Sequence, residues 1–213
     1  MLNQTHSKLE IIIIYDDQNR NDLEYIKNCI KNDSRVKIVF NDKNKGVAYS
    51  RNKAISIAQG EYVAFLDCDD FWEINKVEAQ LNFMLTNGYD FSHTTYRVIN
   101  YNEKIIGTIK AKEKLKYKEL LKSCDIGLSS VILKRNLLSD IKFPDLKTKE
   151  DFVLWLSLAK KSVNLAGFDK PLMFWRRIPN SLSSSILQKL KDAFKVYYVY
   201  EKKIFFYSIF CVI

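Results

Sequence analysis

An α/β fold built on a mixed, mainly parallel sheet flanked by helices is what the sequence predicts, and three features predict it. Short β-rich runs alternate with segments of helical periodicity between residues 9 and 66. Two of those runs end abruptly in carboxylates, Asp16-Asp17 and Asp67-Cys68-Asp69-Asp70. The chain has 213 residues, of which 47% are apolar, enough for one sizeable core.

Taken in order, Leu9–Tyr15 reads as a strand that exits into Asp16-Asp17, and Asp22–Lys31 as a helix through Leu23, Ile26 and Ile30. Val36–Phe40 is a further strand, and a polar loop, Asn41–Gly46, follows. Val47–Ala58 has helical spacing, with Gly60 expected as its left-handed C′ residue. Tyr62–Leu66 is a short apolar strand, and this strand–helix alternation predicts parallel pairing. Beyond the second acidic turn, Ile74–Thr86 is an amphipathic helix closed by Asn87-Gly88, and Phe91–Tyr101 and Lys104–Ile109 are strands about a turn near Asn102. Tyr117–Ser123 reads as helix and Ser129–Leu133 as strand. Thr148–Lys161 reads as a helix opened by Thr148 as N-cap, with Asp151 completing a capping box. Val163–Ala166 and Leu172–Arg176 are late strands, and Ser183–Tyr200 is a long helix. No repeat or low-complexity segment divides the chain. The organisation expected is one domain over residues 1–185 and a basic, aromatic helical tail over 186–213.

Lys and Arg number 34 against 25 acids, for a net charge of +9, which points to an anionic partner: a phosphorylated substrate, a phospholipid surface or nucleic acid. No interleaved basic and aromatic motif of the nucleic-acid modules is present, so nucleic acid is not expected. Much of the positive charge lies on solvated stretches such as Lys110–Lys122. Four widely spaced cysteines and two histidines show no zinc-site spacing, so no zinc site is expected, and they suit free thiols in a reducing, cytoplasmic setting. The start carries no signal-peptide pattern. The apolar stretch Ile204–Ile213 is too short to span a bilayer. Preceded by Lys189, Lys191, Lys195, Lys202 and Lys203, it either lies on the inner face of the membrane or packs on the domain.

The acidic turn after Tyr62–Leu66 is the candidate site, because ligands of open α/β sheets bind beyond the carboxyl ends of strands. Three like charges packed at Asp67, Asp69 and Asp70 repel unless a cation sits among them, and an all-oxygen set suits Mn²⁺ or Mg²⁺. The same acids also suit the first turn of a helix, so the motif alone leaves both readings open. Asp151 is equally open between a cap and a catalytic acid. Trp72 and Trp155 read as core, and His93 as a packed histidine.

Several segments in register carry a resemblance: Asn41-Asp42-Lys43-Asn44-Lys45-Gly46, Ser50-Arg51-Asn52-Lys53, Gly60-Glu61-Tyr62 through Asp70-Phe71-Trp72, Ile126-Gly127-Leu128-Ser129-Ser130-Val131, Lys149-Glu150-Asp151, Arg176-Arg177 and Asn180-Ser181-Leu182-Ser183. Over residues 3–185 the chain resembles glycosyltransferase family 2, with the GT-A fold, in its bacterial surface-polysaccharide type. The resemblance implies that Asp16 and Asp17 face the nucleotide base, that Arg51 lies near the nucleotide, and that Asp67 lies near the ribose and beside the metal. It makes Asp69 the main ligand of Mn²⁺ or Mg²⁺, Glu150 a substrate-binding residue, Asp151 the general base and Arg176 a holder of the diphosphate. The family's glycine after Asp17 is replaced by Gln18, and its late histidine by Ile178.

The implied reaction is inverting, metal-dependent transfer from a nucleotide-sugar, a UDP-sugar by preference, to a glycan or lipid-linked acceptor in capsule or lipooligosaccharide synthesis. Acceptor choice is implied to lie in the region from Phe91 to Phe143. The family's first strand and helix precede the segment that Met1–Thr5 resembles, so the resemblance also implies an N-terminally truncated fold with an exposed sheet edge. Such a loss weighs several kcal/mol against a margin of ~5–15 kcal/mol, which makes a catalytically inactive remnant the alternative.

Overall fold

The computed structural model describes residues 1–178 and 185–211; the Asn180-Ser181-Leu182-Ser183 motif lies outside the described residues. The chain begins as expected, with β1 (Ile11–Tyr15), α1 (Leu23–Ile30), β2 (Val36–Phe40), α2 (Val47–Ile57) and β3 (Tyr62–Ala64). β1 and β2 pair in parallel from Ile11↔Val36 to Tyr15↔Phe40, as a strand–helix–strand unit requires.

β3 does not join them. It pairs antiparallel with β8 (Val131–Lys134) in a separate seven-stranded sheet. That sheet also holds β4 (Phe71–Trp72), β5 (Phe91–Ile99), β6 (Ile105–Ile109), β7 (Lys114–Leu115) and β9 (Leu165–Arg176), in the order β3-β8-β5-β9-β4 with β6 beside β5 and β7 beside β9. Among the described residues, β5 with β9 is its one parallel ladder. The expected mixed sheet flanked by helices is present, but most of its ladders are antiparallel. The reason is local in part: β5 and β6 are joined by the tight turn Asn100–Lys104, which allows only antiparallel pairing.

The helices are α3 (Lys76–Asn87), α4 (Tyr117–Leu120), α5 (Glu150–Lys160), α6 (Ile186–Lys195) and α7 (Phe205–Phe210). α3 stops where expected: Gly88 adopts φ 67°, and Tyr89 N–H donates to the Met84 carbonyl. Gly60 has no such role. α2 ends at Ala58 in extended backbone, and the Gln59 and Gly60 N–H groups donate to Glu10 Oε1 at 2.6 and 2.7 Å. The two late strands merge into the 12-residue β9, whose register against β5 shifts where Pro171, lacking an N–H, faces Thr95. The long helix divides into α6 and a π-helical turn, Val196–Tyr200.

The core lies between the β5–β8 face and α5, where Phe91, Leu133, Leu154, Trp155, Leu158 and Leu165 are fully buried. Val196 and Tyr197 belong to the same cluster, and Glu201 takes hydrogen bonds from Lys160 Nζ (2.8 Å) and the Tyr117 hydroxyl. The C-terminal segment therefore packs on the domain. Between β1 and β3 lies a cavity of about 690 Å³, walled by Leu9, Glu10, Tyr62, Val63, Val77 and Leu81. Neither strand has a strand partner on that side among the described residues.

Candidate active site

The site is assembled by four consecutive residues of α2, Ser50 to Lys53, which between them hold Asn41, Asp67, Glu150 and Phe143. Ser50 Oγ accepts from Asn41 Nδ2 (3.1 Å), which also donates to Asp16 Oδ1 at the exit of β1 (2.7 Å). Arg51 Nη2 donates to Asp67 Oδ1 at 2.7 Å, and its Nη1 donates to Glu150 Oε1. Asn52 forms a two-way bond with the Phe143 backbone, and Lys53 Nζ reaches Asn41 Oδ1 at 2.7 Å. A rigid helix presenting successive side chains in different directions can collect distant segments in this way. The Arg51 side chain is 13% exposed and paired on both prongs, so it is no solvated helix residue. Its fixed fork of donors lets one guanidinium bridge two carboxylates, one on each Nη.

Arg51 thereby joins the two halves of the predicted site. Asp67 lies just past β3, in a turn closed by Asp70 N–H to the Asp67 carbonyl (3.0 Å). Glu150 and Asp151 open α5, on the other side of the guanidinium. Asp151 accepts from the Phe152 N–H (2.7 Å) and is pushed up to about 6, by burial first and then by the neighbouring Glu150 charge. Thr148 is not the cap of this helix. That place is held by Lys149 with φ 67°, while the Thr148 N–H and hydroxyl both donate to the distant Asp192 Oδ2 at 3.0 Å. The capping-box expectation fails because a buried carboxylate from α6 captures the threonine first.

Of the three acids in this turn, Asp70 is the one engaged on both oxygens by the protein's own donors. Asp70 accepts from Ser129 Oγ (2.6 Å) and Arg176 N–H (3.0 Å), which turns it into the sheet; burial pushes it up to about 7 despite those bonds. Ser129 completes the turn by accepting from Asp67 N–H at 3.1 Å, an organising role that no local pattern revealed. Asp69 is raised by burial and by the Asp67 charge. Arg176, the last residue of β9, lies against this turn: its Nε donates to the Asp69 carbonyl at 3.1 Å and its Nη2 pairs with Glu103 at 3.0 Å.

At the exit of β1 the situation is reversed. Burial opposes the Asp16 charge, but bonds from the Asn41 amide and from the Lys45 and Gly46 N–H groups (both 2.8 Å) outweigh it and hold the carboxyl below its usual range. Gly46 is required there, with φ 86° at the start of α2. Asp17 is exposed and accepts from Asn19 N–H at 2.9 Å. Glu150 is taken up by Arg51, His93 is a buried core residue, and Trp155 is fully buried as expected.

Residues 1–140 match the sequence model described as Glycosyl transferase family 2. The chain belongs to glycosyltransferase family 2. It is 36% identical over 95% of its length, and 79% of the relative's, to the Bacillus subtilis (strain 168) protein TuaG, provisionally named a teichuronic acid biosynthesis glycosyltransferase. It is 37% identical over 92% of its length to the Escherichia coli protein named UDP-Glc:alpha-D-GlcNAc-diphosphoundecaprenol beta-1,3-glucosyltransferase WfgD, covering 76% of that protein. The crystal structure of S. aureus TarS 1-349 in complex with UDP-GlcNAc superposes with TM-score 0.69 at 18% identity, over 99% of this chain and 64% of that one. This family 2 enzyme thus has the fold expected of it.

Its acidic turn also bears on the divalent ion that the fold family implies. No group of three or more His, Cys, Asp or Glu is arranged to hold a metal among the described residues. The donor set is Asp69 with the second oxygen of Asp67, and Mg²⁺ or Mn²⁺ characteristically takes one or two carboxylates and fills its shell from substrate phosphates and water. The residues present fit such an ion. No helix among the described residues is long and apolar enough to cross a membrane.

Proposed function

We propose that this enzyme moves a sugar from a UDP-linked donor to a lipid-linked glycan acceptor, with inversion at the anomeric carbon, in bacterial surface-polysaccharide synthesis such as that of capsule or lipooligosaccharide. The observation that carries this reading is the half-buried Asp151, raised to about 6 and tied through Glu150 and Arg51 to the Asp67–Asp69 turn. WfgD, by its name, uses UDP-Glc and a diphosphoundecaprenol-linked acceptor, and TarS was crystallised with UDP-GlcNAc; both support a UDP donor.

Asp151 takes the proton of the acceptor hydroxyl as its oxygen attacks the anomeric carbon, and the bond from that carbon to the diphosphate breaks. A base with a pKa near the working pH is the efficient one, contributing about 10²–10⁴-fold in rate. Asp69 and Asp67 would hold Mn²⁺ or Mg²⁺, which when bound neutralises charge on the departing diphosphate. Arg176 adds a cation beside that turn, and Asp16 shapes the loop that borders the nucleotide base. The C-terminal segment, packed on the domain through Val196 and Tyr197, leaves Ile204, Phe206 and Lys202 exposed, a face for peripheral contact with the inner membrane surface that a lipid-linked acceptor would need.

The outer edges of β1 and β3, which have no strand partner among the described residues, favour one other reading, a catalytically inactive remnant of such an enzyme. Incubation with UDP-glucose, Mn²⁺ and a short-chain GlcNAc-diphospho-lipid tests both. Release of UDP with a β-linked disaccharide product is expected. UDP binding without product favours the remnant, and absence of Mn²⁺-dependent UDP binding overturns the proposal.

A further inference from the structure

A second concavity, of about 340 Å³, opens where the end of α4, the start of α5 and α6 meet. Lys122, Lys149 and Lys189 surround it, each from a different segment, and Phe152, Leu190 and Tyr197 form its apolar wall. No acidic side chain lines it, and among the described residues none of the three lysines has a carboxylate within ion-pairing distance. A hollow bordered by three lysines and no acid suits an anion.

The hollow is built into the catalytic end of the molecule. Lys149 sits two residues before Asp151, in a left-handed backbone that a lysine adopts only when its surroundings impose it. Next to it, Asp192, 1% exposed, accepts from the Thr148 N–H and hydroxyl and from the Gln188 amide (2.8 Å) and so ties α6 to the start of α5. Cys124, Lys149 and Phe152 line the same hollow, and Phe152 directly follows Asp151 at the start of α5, which sets the hollow beside the base. Away from Asp151 the surface turns apolar. Ile186 and Leu187 are 71% and 81% exposed, and Phe194, Tyr198, Phe205 and Phe206 form one contiguous ring cluster. Exposed Lys191 and Lys202 flank it.

We infer that Lys122, Lys149 and Lys189 bind the diphosphate of a polyprenyl-linked acceptor, with its sugar directed at Asp151 and its lipid running along the apolar side of α6. This rests on the lipid-linked acceptor proposed above and adds the site that would receive it. Ammonium groups suit phosphate as point charges, and the amphipathic α6 suits the membrane surface from which the lipid emerges.

The test is calorimetric titration of farnesyl diphosphate into the full chain and into the Lys122→Gln/Lys189→Gln double variant, with and without saturating UDP and Mn²⁺. Lys149 is left in place because of its backbone and its position beside the base. Binding to the parent, weakened tenfold or more in the variant while UDP affinity stays within twofold, supports the site. Equal affinity in the two proteins, or no binding to the parent, overturns it. Inorganic pyrophosphate and farnesol run alongside: pyrophosphate matching farnesyl diphosphate in the parent overturns the lipid-linked assignment in favour of free phosphate, and weaker binding of both supports it. A parent that binds farnesyl diphosphate but no UDP sinks the sugar-transfer proposal and leaves the phosphate site standing.

Discussion

The two acidic turns of this molecule look alike in the sequence and behave in opposite ways. Asp16 at the exit of β1 is met by an amide and two backbone N–H groups, which hold its proton off below the usual range. Asp69 and Asp70 at the exit of β3, and Asp151 across from them, are raised by burial, with neighbouring carboxylates adding to it. The first turn uses a carboxylate to organise a loop. The second holds carboxylates in surroundings that disfavour their charge, the condition in which an acid binds a cation or accepts a proton. Acids at strand exits therefore divide by the balance between burial and hydrogen-bond donors, not by their spacing.

Substitutions should expose that division. The largest effect is expected at Asp151, where Asp151→Asn lowers turnover about 10²–10⁴-fold, read as UDP release, while the thermal midpoint holds. A variant turning over within tenfold of the parent would remove Asp151 from the mechanism. Arg51→Met leaves Glu150, 9% exposed, as an uncompensated buried charge, a loss of about 3–5 kcal/mol in urea unfolding, while Asp67, 42% exposed, adds little because solvent screens it. A loss below 1 kcal/mol would mean the fork holds nothing together.

Asp16→Ala sharpens the comparison from the other side. It leaves the Lys45 and Gly46 N–H groups without their acceptor and costs about 1–3 kcal/mol, with the chemistry impaired less than in Asp151→Asn. The reverse ranking would erase the distinction between the two turns. The smallest effect is in pH. Because burial raises Asp151 to about 6 and the ionised form is the base, turnover rises as pH climbs through that value and halves, roughly, on going from neutrality to pH 6. A rate flat down to pH 4 would show that a group with an ordinary carboxylate pKa, or none, controls the reaction.

Elements were more legible than their partners. β1, α1, β2 and α2 follow from local periodicity, and their ends fall within a few residues of expectation. The pairing of β3 with β8 depends on residues about 70 positions apart, which no local pattern encodes. β9 was read as two strands because Asp169-Lys170-Pro171 interrupts the apolar run, and the structure accommodates those residues as a register shift. Thr148 looked like a cap since the spacing to Asp151 fits one, but Asp192 lies 44 residues away and wins its hydroxyl. Arg51 was visible as a motif residue, whereas its partners stand 16 and 99 positions off, so its work as a joint could be seen only in three dimensions.

The central claim is that acids from two ends of the chain serve one substrate in separate capacities, Asp69 for the metal-bound diphosphate and Asp151 for the acceptor proton. UDP titrated with Mn²⁺ into Asp69→Asn and Asp151→Asn, side by side, tests it most directly. Loss of Mn²⁺-dependent affinity in Asp69→Asn with parental affinity in Asp151→Asn is the expected result; parental affinity in both, or its loss in both, would contradict it.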